Sequence, residues 1–418
     1  MMSRSRLRRG CYLSLACSIG SISLACGSLL QLQSSSDRIS IQRGLFITSL
    51  GFLYFISLTD FFNKYLIETP QGIMFRRKYR LMVSDAMDIT NKIVSAIQAT
   101  FSFLAGLIVC KSTCSKSFLY ASHCVMEAYA WFGTAYFMYD IWSMYKVHKQ
   151  KLTDKLKLMN LSSRTTIKSQ ITNKNSEMSS RKINNINYLN NQHNNGLYDK
   201  STNDFNSKEF YEDFELSEDI IDSIPKRNQI SDFLNYVFKN PLMIMHHIFI
   251  GTFGFLVIVY IRGGGVCIYS FIYMMEFSTP FVSLRGILSK LGMKNSKLYI
   301  FNGFAMLISF FICRVFMWPY VFHWYSTVVN KSMSEAIMEL PRGCQISIAI
   351  LFFPQLYWFY LMLKGALKVF FPTSLKIETK SKNNNLSPET PDNPFLPNEN
   401  LISSHLRKTI KLEKNTTE

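Results

Sequence analysis

The chain has 418 residues, 48% apolar and 18% charged, with 46 Lys and Arg against 28 Asp and Glu and a formal net charge of +18. Its apolar residues gather in blocks of about twenty, which excludes a single soluble domain and a secreted disulfide scaffold. The basic residues flank those blocks instead of forming one stripe with interleaved aromatics, so a nucleic-acid binder is excluded and no nucleic-acid partner is expected.

Eight blocks, at 11–30, 44–62, 93–110, 118–145, 242–261, 266–284, 298–325 and 345–371, reach or approach the ~20 residues that carry an α-helix across about 30 Å of hydrocarbon. No block shows the alternation of a membrane barrel. The predicted fold is an all-α, polytopic transmembrane helical bundle of about seven core spans plus an N-terminal signal peptide or extra span. Arg4, Arg6, Arg8 and Arg9 precede the first block, whose small residues suit either a signal peptide or a span. Both choices put residues 31–43 outside.

Loop charge then sets the orientation. The loops at 63–92 (Lys64, Arg76, Arg77, Lys78, Arg80), 146–241 and 285–297 (Lys290, Lys294, Lys297) are the basic ones and are expected in the cytosol. Those at 31–43, 111–116, 262–265 and the loop with Lys331 and Arg342 are expected outside. Asn160, Asn330 and Asn415 each begin an N-x-Ser/Thr sequon, and of these only Asn330 then faces a glycosylating compartment.

The expected organisation is a signal or anchor segment with a lumenal linker (1–43), a first bundle part of three spans (44–145), a cytosolic insert (146–240), a second bundle part of four spans (241–371) and a cytosolic tail (372–418). The insert is basic at its start, Asn-rich in the middle and acidic at its end (Glu209, Glu212, Asp213, Glu215). With so little apolar surface to offset ordering entropy, insert and tail are both expected to be disordered. Nine Cys without a CxxC pair indicate neither zinc nor thioredoxin chemistry and read as mostly free thiols.

Ionisable groups inside spans cost at least about 2.5–3.5 kcal/mol each, so every one needs a reason. Asp140 ends the run Tyr136–Asp140 of the fourth block; His246 and His247 lie about one turn inside the fifth, at similar depth. A carboxylate there can orient an imidazole as base or nucleophile. Equally, His247, Gly251 and Gly254 at i, i+4, i+7 describe a tight helix contact. Neither HExxH nor a His pair at i, i+4 is present, so no metal is expected. Glu276 lies in the sixth block beside Ser278, Thr279 and the helix-kinking Pro280, which suits a polar cavity. Arg314 is its natural cation, although ideal helices separate the two by roughly 12 Å in depth. Lys364 lies where a lysine snorkels, which argues against a retinal attachment. No Walker A loop, dinucleotide fingerprint or nucleophile elbow occurs.

The ordered series Tyr139-Asp140, then 242–247 (LMIMHH), then 276–285 (EFSTPFVSLR), with Asn302-Gly303, Cys313-Arg314, Pro319 and 354–359 (PQLYWF), resembles the TLC (TRAM–LAG–CLN homology) domain, in its ceramide-synthase-like branch of the third subfamily. The resemblance covers roughly residues 44–371, insert excepted. It implies a helical bundle around a lipid-accessible cavity, in the endoplasmic reticulum or alternatively the plasma membrane, acting in sphingolipid and membrane-lipid homeostasis. The implied partners are membrane lipids, with sphingoid bases and acyl-CoA as substrates if the protein is catalytic; no cofactor is implied, and a homo-oligomer is compatible. The implied catalytic group is His246, His247 and Asp140, with Tyr139, Glu276, Ser278, Thr279, Pro280, Asn302 and Arg314 about the cavity. True ceramide synthases carry a second His-Asp pair where this chain has Met275-Glu276, and Thr279 where another Asp would stand, a departure that weakens the acyltransferase reading. Lipid handling and N-acylation of a sphingoid base both stay open. A pure adaptor built on the insert has only disorder in its favour.

Overall fold

A computed structural model describes residues 4–30, 32, 38–114, 123–187, 229–260 and 265–370, with side chains except at 4–8, 160–187, 229 and 368–370. Among the described residues every regular element is helical, the form that satisfies backbone polar groups within a single segment in hydrocarbon. The first half contains α1 (Arg4–Gly27), α2 (Ile41–Glu68), α3 (Pro70–Lys78), α4 (Val83–Thr113) and α5 (Cys124–Asn187). After it come α6 (Gln229–Lys239) and α7 (Pro241–Tyr260), the latter with a π-helical segment at Phe249–Gly254. α8 (Val266–Met274) meets α9 (Thr279–Lys290) through a 3-10 turn at Met275–Ser278. α10 (Lys297–Val329) holds a second π segment at Phe311–Phe316, and α11 (Met333–Met338) and α12 (Arg342–Phe370) complete the described chain.

Side chains mark where these helices begin and end. Ser40, Ser296 and Ser332 each accept the N–H three residues on, from Arg43, Tyr299 and Glu335, the usual work of an N-cap hydroxyl. Buried Arg76 donates from Nε to Leu66 O (3.2 Å) and from Nη2 to Ile67 O (3.2 Å). A guanidinium thus sits on the last carbonyls of α2, where the helix dipole is negative.

Six helices are long and apolar enough to cross a membrane: Arg9–Gly27 within α1, then α2, α4, α7, α10, and Arg342–Leu367 within α12. The protein is an all-α polytopic membrane bundle. Of the blocks expected at 118–145 and 266–284, residues 124–145 are helical as the start of α5, and 266–284 are helical as α8 with α9. Pro280, lacking an N–H, separates α8 from α9 at the 3-10 turn.

The aromatic core lies between α2 and α5, which run side by side in the same direction. The Phe55 ring lies tilted 5.4 Å from Phe132 and 5.1 Å from Tyr136. Ile39 N–H donates to Glu127 Oε2 (3.1 Å) and Thr48 to Trp131 O (2.8 Å), fixing the register. Two glycines let the other spans close in: a Cβ on Gly106 of α4 would meet Ser270 O of α8 at 2.6 Å, and one on Gly251 of α7 would meet Phe137 of α5 at 2.9 Å. Gly254 takes no part in that contact, because the π segment turns it off the face that an ideal helix would share with Gly251.

Within the described parts of the insert, α5 continues to Asn187 and residues 229–239 form α6, since Lys, Leu and Gln favour helix. Residues 188–228 and the tail at 372–418 lie outside the described residues. Most of the cysteines are unbridged, as expected, while Cys114 and Cys267 form a disulfide, Cα–Cα 5.2 Å, between the end of α4 and the start of α8. Their separation of 153 residues leaves no local signature. At the opposite end of the bundle Lys290 bonds Asp85 (2.7 Å), Lys92 bonds Asp88 (3.0 Å), and Asp154 accepts from Ser84 N–H (2.9 Å). The bundle therefore has a basic end and a cystine end.

Candidate functional site

In the second turn of α7 the His247 ring is buried between two acceptors, with Nε2 2.9 Å from Asp140 Oδ2 and Nδ1 2.9 Å from Met243 O. Both nitrogens face oxygen, so the ring is satisfied as a double donor, or as a single donor when Asp140 carries the proton. Phe137, one turn before Asp140 on α5, lies edge-on to the ring at 5.8 Å. Thr134, one more turn back, donates to Gly251 O (3.2 Å), a carbonyl that the π segment draws out of regular pairing.

His246 points elsewhere. Its half-buried ring lies 5.4 Å from Trp358 of α12 and 5.9 Å from His247, edge-on to both. Among the described residues its nitrogens make no hydrogen bond, and it lies within electrostatic range of Glu276 and Arg314. The two imidazoles thus have different standing: one anchored, one open.

The second polar group centres on Arg314, buried in the π segment of α10. Nη2 reaches Glu276 Oε1 (3.2 Å) and Thr279 Oγ1 (2.7 Å), and Thr279 in turn donates to Glu276 Oε2 (2.6 Å). Nε reaches Ser278 Oγ (2.8 Å) and Met275 O (3.1 Å), and Nη1 reaches Gln355 Oε1 (3.2 Å). The depth gap expected between Glu276 and Arg314 is closed. A π segment adds a residue to the turn and a 3-10 turn lengthens the rise per residue, so neither helix keeps ideal register. A buried charge with every nitrogen engaged meets the condition under which low dielectric tolerates it.

α12 joins the two groups, since Gln355 and Trp358 share one of its faces at i, i+3 and touch Arg314 and His246 respectively. The structure therefore brings together Asp140, His246, His247, Glu276, Ser278, Thr279 and Arg314. Pro280 shapes the turn that presents three of them. Asn302 instead ties α10 to α9 through Phe281 O (2.9 Å). Tyr139 packs against the α2–α5 core, because neighbouring helical residues point about 100° apart. Sequence reasoning missed Gln355 and Trp358, hidden in an aromatic run; the polar Gln beside Pro354 was the available signal. No group of three His, Cys, Asp or Glu among the described residues is arranged to hold a metal ion.

Residues 88–364 match the TLC domain. The chain belongs to the TLC-domain family. All seven convergent residues lie inside the match, and α2 lies before it. As a TLC-domain protein it is a multi-pass membrane protein. It is similar to a frog (Xenopus laevis) TLC domain-containing protein 4-B, 35% identical over 132 residues, which are 30% of this chain and 49% of that relative. The chain thus spans about half the length of this curated relative, which is designated 4-B where the motifs resemble the third subfamily. No solved structure matches the chain.

Proposed function

We propose that this TLC-domain protein binds an acyl lipid of the sphingoid or ceramide class beside His246 and so acts in membrane-lipid homeostasis. The observation that carries the reading is the contrast between the imidazoles. His247 is fixed by Asp140 and Met243, and it holds beside it a ring whose nitrogens have no partner among the described residues. Such a ring at membrane depth suits the hydroxyl, amine or amide of a lipid whose chains stay in hydrocarbon. The reading includes a cavity next to His246 that opens to the bilayer. The Glu276–Arg314 pair, closed upon itself, gives that cavity a polar wall without net charge.

The second reading, a ceramide-synthase-type N-acyltransferase, draws on the same open nitrogen. His246 would take a proton from a sphingoid amine as that nitrogen attacks the thioester carbonyl of acyl-CoA. The C–S bond breaks, and the departing CoA thiolate takes up the proton. Against it stand Met275 and Glu276, where the synthase motif has its second imidazole. The endoplasmic reticulum, with the basic end cytosolic, is the setting that fits. A disulfide at the opposite end supports that orientation, because such bonds persist in oxidising compartments.

The test is purified protein given labelled acyl-CoA and sphinganine, alongside His246→Ala and His247→Ala. Lipid retained but not converted, and lost in His246→Ala, supports binding; turnover abolished in His246→Ala supports the enzyme. Retention equal in the wild type and both variants overturns both.

A further inference from the structure

The amphipathic helix α6 carries two apolar faces, and α5 covers only one. Phe233 and Tyr236 pack on α5 at its residues 142–145, with Phe233 5.2 Å from Tyr145 and 6.1 Å from Trp142, and Tyr236 5.8 Å from Tyr145. Ile230, Leu234 and Phe238, at i, i+4 and i+8, form the other face and are 69%, 48% and 79% exposed. Ser231, Asp232, Asn235 and Lys239 occupy the remaining arc.

Three observations say what covers the open face. First, it is continuous with the outer surface of a span. α7 begins two residues after α6 ends, and Leu242 and Met245 carry the exposed apolar stripe onward into the segment that crosses the membrane. Second, the helices are distinct: Asn240 leaves helical geometry (φ −125°, ψ 52°) before Pro241, and its side chain donates to Tyr236 O (3.0 Å). A residue before proline disfavours the α region, so α6 departs from the axis of α7. Third, the surface beneath α6 has the composition of a membrane–water boundary. Trp142 is partly exposed with Lys146 over its ring (5.7 Å), and Tyr145 is its neighbour; Trp and Tyr gather at headgroup level.

We infer that α6 is an interfacial helix whose Ile230–Leu234–Phe238 face lies in the headgroup–acyl boundary of the leaflet at the basic end of the bundle. The partner is the bilayer itself, met by apolar burial on one side while Lys239 stays at the polar surface. The docked helix links the insert to the site: Tyr236 packs in one cluster with Tyr145 and buried Ile244, one turn before His247. The inference does not depend on which lipid reaches His246.

The experiment uses the full chain in liposomes, with a benzophenone amino acid placed singly at Leu234, Phe238 or, as control, Asn235. Photolysis should give phospholipid adducts at 234 and 238 and none at 235. A parallel measurement needs no bulky probe. A membrane-impermeant maleimide should label Leu234→Cys roughly tenfold more slowly than Asn235→Cys, a factor that burying one such side chain supports. Adducts at 234 and 238 to a second copy, or to residues 188–228 of the same chain, would overturn the inference, as would equal labelling of the two cysteines.

Discussion

Adjacent histidines in one turn of helix are here chemically unlike. Asp140 and Met243 use both nitrogens of His247, so His247→Ala leaves a buried carboxylate without its partner. Breaking such a pair costs about 3–5 kcal/mol, and a fall in the unfolding midpoint in detergent reads it out. His246→Ala removes no hydrogen bond among the described residues, so its midpoint should stay near wild type while lipid retention is lost. A variant pair with equal midpoints would contradict this division of roles. Much of this was legible in the sequence, since Asp140, His246, His247, Glu276 and Arg314 each stand out as polar residues in apolar blocks. What it did not reveal was direction: Tyr139 is expected about the cavity yet packs toward α2, and Gln355 sits within the aromatic run 354–359 yet accepts from Arg314.

Among the elements, the irregular turns matter most. Hydropathy marks where helices lie, but it carries no sign of the π segment that brings Arg314 to Glu276, and ideal spacing wrongly separates them. Glu276→Gln keeps the shape while leaving the guanidinium uncompensated; a loss of about 3–5 kcal/mol is expected, measured by denaturation in detergent. The docking of α6 carries a pH dependence. The ring of His148 of α5, beyond the membrane-spanning part, lies tilted 5.0 Å from Tyr236, and its pKa is lowered by burial and then by Lys239 and Lys151. A base whose folded pKa lies below the ordinary 6.5 binds fewer protons folded than unfolded. Its neighbourhood is therefore most stable above 6.5 and weakens as pH falls from there through the lowered value. Amide exchange across residues 229–239 should accelerate on acidification in wild type, and lose that dependence in His148→Gln. At the cystine end the Ser332–Glu335 capping box behaves as a carboxylate does. Hydrogen bonds from the Ser332 hydroxyl and N–H hold the Glu335 pKa below its ordinary 4.5, so the cap is intact above 4.5 and lost as pH falls through the lowered value.

At the scale of the molecule, span alternation and loop charge together set one arrangement, with Lys64, Lys92 and Lys290 at one end and the Cys114–Cys267 bond at the other. That arrangement was legible from loop charge because cations resist translocation, whereas the disulfide was not, its partners being far apart in sequence and unremarkable locally. Asn330 ends α10 exposed in a left-handed conformation (φ 55°) at the cystine end. It is the one sequon expected to accept sugar; an endoglycosidase-sensitive mass shift that survives Asn160→Gln and Asn415→Gln and vanishes in Asn330→Gln checks it, and sugar on Asn160 would invert the molecule.

The Cys114–Cys267 bond also changes what a cut in the polypeptide means. One sulfur belongs to the chain before residues 188–228 and the other to the chain after them, so a protease nick there severs the backbone without parting the fragments. Such a nicked protein should migrate as one band until a reductant is added and as two thereafter.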